Sequence, residues 1–519
     1  MKIKLLALLL CLALVLSCFA GCTQDTPDDG TATGDTTSQG SEKPQDEPDP
    51  VPAPKEDRLP QVSGDQIRMY YDDCLAVSEL GDGAVEITDQ KPVSKKVGTD
   101  TADDAVVYYD ETGKTLIAVG IGTAKVTIGG TAYQLSVEAA PISLFMITGH
   151  SIGAGQAGNA AQSILCNAGQ AYSSHGTKLS PREPEGLGIG YGSQKKPDGI
   201  DAFTTLGAGT QGEGSGIAYK WNELTGEKVW ILNTAVGGSC LPQWTPGQTY
   251  FVSAVKVFQY AQEVLAGEIK AGHYRLKDMA IIYHSAANFG YNNNYGTYTQ
   301  NELKAWYDAM WNGFKQRLAK DMDGDGKKEE LSALGFVPIW TVSSVTEYKH
   351  DKPANYYMGS SKEYPDMFMA SLITKEWINS GGFPDINYTT VKDPVVKPTA
   401  TSQLFADGTH LTQVVYNAQG MDIALNLYNH LREVEQNVTV TFEKGVVSTP
   451  VKELTLRVGE SVSLVPLVSP ITVDDLTYTV SDNLSISYPM VITAKAAGTG
   501  TLTVSQRGKV ITTLAVTIR

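Results

Sequence analysis

The sequence predicts an α/β domain built on a parallel sheet, with a small all-β sandwich on each side of it. Three features predict this. From about residue 142 to 433, short apolar runs alternate with stretches of helical periodicity, as expected where helices join the strands of a sheet. At about 61–141 and 436–519, brief β-type runs separated by turns recur instead, the spacing of sandwiches. The two flanks also share a segment: Leu116–Ile128 aligns without gaps on Ile492–Val504, placing Gly122 on Gly498, which implies two copies of one module. At 519 residues the chain is too long for a single core.

Residues 1–22 read as an export signal: Lys2 and Lys4, the apolar run Leu5 to Leu16, then small residues before a cysteine. The apolar run is too short for a comfortable membrane span. Phe19-Ala-Gly-Cys22 resembles a bacterial lipobox, whose cysteine is acylated after cleavage; Val15-Leu-Ser-Cys18 is a second candidate, and a plain secretory signal is the alternative. The resemblance implies a protein lipid-anchored at Cys22 on the extracellular face of a bacterial membrane. Residues 23–60 form an acidic linker. Between 23 and 58 it carries ten carboxylates against three basic residues among Thr, Ser, Pro and Gly, a composition that cannot build a core. The net charge of −16 excludes a nucleic-acid binder, which needs a basic footprint. Cys74, Cys166 and Cys240 show no metal spacing and no disulfide framework. One pair could form outside the cell, and the spacing does not say which.

In the flanks, Val106-Val-Tyr-Tyr109, Leu116-Ile-Ala-Val119 and Lys125-Val-Thr-Ile128 read as strands, as do runs within Leu454–Leu464 and Ile492–Val504. The central strands are expected at Leu144–Ile147, Val229–Leu232, Met279–Tyr283 and Phe336–Thr341, and helices at Val252–Ile269, Leu303–Leu318 and Gln413–Leu431. In the second helix Leu303, Trp306, Met310, Phe314 and Leu318 form one apolar stripe.

The chemistry is expected at the ends of these strands. The run Leu144 to Ile147 breaks into Thr-Gly-His-Ser-Ile-Gly-Ala-Gly155, placing Ser151 on a turn at the carboxyl edge of the sheet, where α/β folds bind their ligands. Serine attack on a carbonyl needs a base, a group that orients the base, and donors for the oxyanion. Asp407-Gly-Thr-His410, just before the last central helix, offers the base and its carboxylate three residues apart. Gly238, in Asn233-Thr-Ala-Val-Gly-Gly-Ser-Cys240, offers a backbone amide, or serves only a tight turn. Asn288, in His284-Ser-Ala-Ala-Asn-Phe289, offers a side-chain amide, or caps the next element. Gly149-His-Ser-Ile-Gly153 also fits the Gly-x-Ser-x-Gly elbow of α/β-hydrolases. In that fold, however, the elbow follows several strands and the acid and histidine lie on separate loops.

Serine after the first strand, glycine after the second, asparagine after the third and Asp-x-x-His near the end resemble the SGNH hydrolase superfamily. Within it, Phe145–Gly155 and Asn233–Trp244 resemble the carbohydrate acetylesterase branch that includes sialate O-acetylesterases, and the flanks resemble bacterial immunoglobulin-like domains of the second group. The resemblance covers roughly 142–433. It implies a flavodoxin-like three-layer domain and a serine carboxylic-ester hydrolase removing O-acetyl groups from a glycan. Ser151, His410 and Asp407 would be catalytic, the amides of Ser151 and Gly238 with Asn288 would form the oxyanion hole, and no cofactor is required. The chain departs from the branch in two places. Ile152 stands where asparagine is usual, and Tyr283-His-Ser-Ala-Ala287 where Trp-x-Gln-Gly-Glu is usual, leaving Asn288 or Ser285 as the third donor. The alternative is a non-catalytic glycan-binding or adhesion lipoprotein with a degenerate central domain.

Asp321, Asp323 and Asp325 occupy the first, third and fifth places of a calcium loop, with Gly326 sixth and Ser332 in place of the twelfth-position glutamate. They predict either a structural calcium or a solvated acidic turn. Trp244 and the aromatic stretch Asn288–Tyr298 follow sheet strands, where flat rings suit either sugar binding or loop packing.

Overall fold

The structure, a computed structural model, describes residues 58–164, 166, 169–173, 204–205, 212–285, 300–338, 367–369, 406, 410–444, 449–469, 476–487 and 491–519. All belong to the compact unit Pro50–Arg519. Among the described residues no helix is long and apolar enough to cross a membrane.

The central sheet has seven strands: β1 Ala140–Gly149, β2 Ala171–Ser173, β3 Thr204–Thr205, β4 Lys228–Asn233, β5 Tyr274–Ser285, β6 Ala333–Pro338 and β7 Met367–Met369. Their spatial order is β3-β2-β4-β1-β5-β6-β7, parallel throughout except for the β2/β3 pair. The helices are α1 Gly214–Thr225, α2 Thr249–Ala271, α3 Gln300–Leu318 and α4 Gln413–Leu431. Every residue of β1 is buried, as expected for a strand covered on both faces.

Alternation along the strands sorts their side chains between two cores. Leu144 and Met146 of β1, Trp230 of β4 and Ile281 of β5 face α2 and α3 through Phe251, Phe258, Met310 and Phe314. Phe145 and Ile147, with Ile231 and Ile282, face α1 and α4 through Ile217, Trp221, Ile423 and Leu427. The second pair of helices sits unusually close. A Cβ on Gly216 would lie 2.2 Å from the Asn417 carbonyl, and one on Gly420 2.2 Å from the Glu213 carbonyl.

Upstream, strands at residues 61–138 form a five-stranded and a three-stranded sheet, and Glu138 leads almost directly into β1. Their Ile67, Met69, Leu75 and Val126 belong to the same core cluster as α2 and α3. Polar ties reinforce this union. Lys228 of β4 donates to Asp73 (2.8 Å, both side chains 1% exposed) and to the Gly169 carbonyl (2.6 Å). His273 meets Glu268 (2.7 Å) and Asp103 (2.8 Å) and stacks on Tyr71 with 4.2 Å between ring centres.

Downstream, residues 439–518 form a five-stranded and a four-stranded sheet around a core of their own that includes Phe442, Leu464, Ile492, Leu502 and Val516. Gly122 and Gly498, aligned by the repeat, each open a strand with positive φ, 145° and 134°. A Cβ on Gly122 would meet the Lys91 carbonyl at 2.1 Å, so the motif preserves a backbone need at this position. Cys74, Cys166 and Cys240 are free thiols.

Candidate functional site

Strand β1 is the switch point of the central sheet. The chain next builds β2 to β4 on one side of it, then crosses to β5 on the other, and it is beyond the carboxyl end of such a strand that open α/β sheets bind their ligands. The strand stops at Gly149, whose φ is 107° and whose Cβ position lies 2.2 Å from the His284 carbonyl. No other residue fits there. Ser151 follows, half-buried, on a turn closed by Ala154 N–H to His150 O (3.0 Å), Gly155 N–H to Ile152 O (2.7 Å) and Gln156 N–H to Ser151 O (3.0 Å). The buried His150 supports this turn, its Nδ1 accepting from Ile152 N–H at 3.3 Å.

The segment after β4 wraps the serine turn. Asn233 Nδ2 donates to Gly153 O (2.8 Å), while Val236 N–H (2.7 Å) and Ser239 Oγ (3.0 Å) both donate to Gly149 O. A Cβ on Gly237 would lie 3.7 Å from Ser151 Cβ, so the glycine turn abuts the serine. Gly238 is exposed with φ of 75° and open space at its Cβ position.

His410 is half-buried and precedes α4, its carbonyl accepting from Ala406 N–H at 2.8 Å. The helix it introduces is fastened to the serine turn. Tyr416 Oη donates to Gln156 O at 2.9 Å, and Gln156 N–H donates in turn to Ser151 O. The Gln413 side chain exchanges hydrogen bonds with Gly212 N–H (2.9 Å) and O (2.8 Å), and a Cβ on Gly212 would lie 3.0 Å from Gly155 Cα. The structure thus brings the Ser151 turn, the Gly237–Gly238 turn and the first turn of α4 to one carboxyl edge. Cys22, Asp407, Asn288 and the stretch Asn288–Tyr298 lie outside the described residues.

Of the two readings open for Trp244, sugar platform and loop packing, its burial supports packing and corrects its place among the substrate-binding candidates. It is 0% exposed, its Nε1 donates to Ser239 Oγ (3.0 Å), and its ring lies 5.7 Å from Tyr250 and 6.3 Å from Tyr283. Such a ring braces the glycine turn from beneath. Burial also drives the Tyr283 hydroxyl well above its ordinary range, so it stays protonated.

Glu213, just before α1, and His284, near the end of β5, escape a sequence reading. Both are fully buried and their side chains meet. Only the fold joins them across a sequence separation of 71.

Away from this edge, oxygens of Asp321, Asp323 and Asp325 lie within 4.8 Å of one another. Asp321 accepts from Gly324 N–H (2.6 Å) and Gly326 N–H (3.1 Å). Three hard oxygen donors suit calcium. The Ser332 hydroxyl, at the twelfth place, instead accepts from Met279 N–H at 3.2 Å, so the second half of a calcium loop is not reproduced.

No protein-family model matches the chain, and no curated protein matches it. Among solved structures, it is similar to a protein from Arabidopsis thaliana at 11% identity and a TM-score of 0.33, over 56% of this chain and 99% of the other. It is also similar to a carbohydrate acetylesterase from Xanthomonas citri at 12% identity and a TM-score of 0.28, over 87% of this chain and 95% of the other.

Proposed function

We propose that the chain is a serine ester hydrolase that releases acetyl groups from a glycan, held at the outer face of a bacterial membrane by an acylated Cys22. One observation carries the catalytic reading: the Ser151 turn, at the switch point of the sheet, is packed against the Gly237–Gly238 turn and tied to the helix that follows His410. Ser151 Oγ attacks the acetyl carbonyl while His410 takes the hydroxyl proton. His410 then returns it to the departing sugar oxygen, and Asp407 orients the imidazole. The amides of Ser151 and Gly238, with Asn288, stabilise the oxyanion of each tetrahedral intermediate. Water, activated by the same imidazole, then releases acetate. Each of these steps uses side chains and backbone amides alone, and none calls for an organic cofactor.

The test is acetate release from acetylated xylan, acetylated sialosides and an aryl acetate. The wild type is expected to act on at least one of them, and Ser151→Ala to lose at least about a thousandfold of that rate. Equal rates in the two proteins would remove Ser151 from the mechanism. No release by the wild type, with retention on an acetylated glycan column, would favour a binding protein.

A further inference from the structure

We infer that the buried pair Glu213 and His284 is the positioning device of the serine turn, an inference that rests on the reading of Ser151 as nucleophile. Both side chains are 0% exposed, and Glu213 Oε1 meets His284 Nε2. A carboxyl and an imidazole at such depth persist only when each satisfies the other. Here the match is incomplete, because Glu213 Oε2 and His284 Nδ1 find no hydrogen-bond partner among the described residues. The same holds for Thr148 Oγ1, Ser215 Oγ and Thr412 Oγ1, on segments that border the site. A hydrophobic pair would fill this space without that cost, so the polar pair answers another demand.

Its contacts show what the demand is. The His284 ring lies under the serine turn, with Cδ2 2.9 Å and Cγ 3.1 Å from where a Cβ on Gly153 would stand. Its backbone pairs with Gly149, where β1 ends. Glu213 sits on the opposite arm. Its neighbour Gly212 is bonded twice to Gln413, three residues after His410, and its own carbonyl closes on Gly420 of α4. The pair therefore joins the floor of the Ser151 turn to the base of the helix that follows His410. It touches neither reacting atom. It fixes the separation between the two arms that carry nucleophile and base.

The experiment measures Ser151 labelling by a fluorophosphonate probe and steady-state hydrolysis of an aryl acetate, with kcat expressed per labelled serine so that unfolded enzyme is not counted. Glu213→Gln keeps the shape and an acceptor oxygen but replaces the carboxyl by an amide, and is expected to lower kcat by about a hundredfold, the cost of displacing a catalytic group by about an ångström. KM is expected to stay within about twofold, since no substrate contact is removed. Gly153→Ala tests the same idea without altering the chemistry of either partner, by pushing on the imidazole of His284, and is expected to act in the same direction should Glu213→Gln fold poorly. Wild-type kcat per labelled serine in both variants, with the wild type itself labelled at Ser151, would overturn the positioning role and leave the esterase reading intact. A wild type that is inert and unlabelled would overturn both.

Discussion

Asp72 gives the sharpest test of the junction between the first sandwich and the central sheet. Desolvation is the main cause that lifts its carboxyl from 3.8 to about 6, against the pull of Lys228 and of the Tyr172 hydroxyl that donates to it. Its folded value lies above its unfolded one, so ionisation penalises the folded state at neutral pH and the penalty fades as pH falls toward 3.8. At about 1.4 kcal/mol per pH unit the full penalty is about 3 kcal/mol, and water reaching this half-buried group reduces the expected effect to about 1–2 kcal/mol. Asp72→Asn removes the charge, keeps an acceptor for Tyr172, and suits the positive φ of 65° at this position. Urea unfolding followed by tryptophan fluorescence is the assay, because all seven tryptophans lie between residues 221 and 377 and none lies in the C-terminal sandwich. The variant is expected to be more stable than the wild type at pH 8, by an amount that shrinks through pH 6 and vanishes near pH 3.5. An equal difference at both extremes, or a loss of stability at pH 8, would refute the electrostatic argument.

Further outcomes follow from other parts of the molecule. Gly420→Ala is expected to destabilise by at least about 1–3 kcal/mol through collision with the Glu213 carbonyl, although helix propensity alone predicts a gain of about 1 kcal/mol; the sign of the change in urea midpoint decides. His273 is opposed by burial, but its bonds to Glu268 and Asp103 outweigh that and raise its pKa above 6.5. Its contribution is therefore complete below 6.5 and lost as pH rises through the folded value, so His273→Gln should cost about 2 kcal/mol at pH 6 and less at pH 9, measured by the same unfolding assay. If the Asp321 loop takes calcium, adding it should raise Tm and a chelator should reverse the rise; an unchanged Tm leaves a solvated acidic turn.

Periodicity made the central strands and helices legible, because a strand buried on both faces and a helix with one apolar stripe leave strong local patterns. The predicted strand Met279–Tyr283 proves to be the end of Tyr274–Ser285. Lys277 and Asp278 hide the rest, at a break in register between Leu276 and Met279, where Asp278 pairs with Arg432 at 2.7 Å. Helix α1 went unseen because it opens on Gly-Ser-Gly, poor helix formers whose small size the contact with α4 requires. Strands of two and three residues, β3 and β2, are too short to carry a pattern.

The site divides in the same way. Ser151 and Gly238 belong to local turns that glycine marks, and the structure sets those turns side by side. Trp244 was ambiguous because loops after strands are usually open, whereas the short helix Leu241–Trp244 folds its ring back onto Ser239. Glu213 and His284 left no trace, since a pairing across the sheet writes nothing into the residues around either member.

The two flanking sandwiches, alike in pattern, differ in how they could be inherited. The apolar interior that runs unbroken from Ile67 of the first into Phe314 of the central domain makes that sandwich a wall of the larger body. Cutting it off would strip the helical layer of its cover and leave Lys228 without its counter-ion. The last sandwich closes on itself and could be traded between proteins like a cassette. Two flanks of similar strand pattern thus play different parts, one as masonry of the larger body and the other as an appendage with an interior of its own.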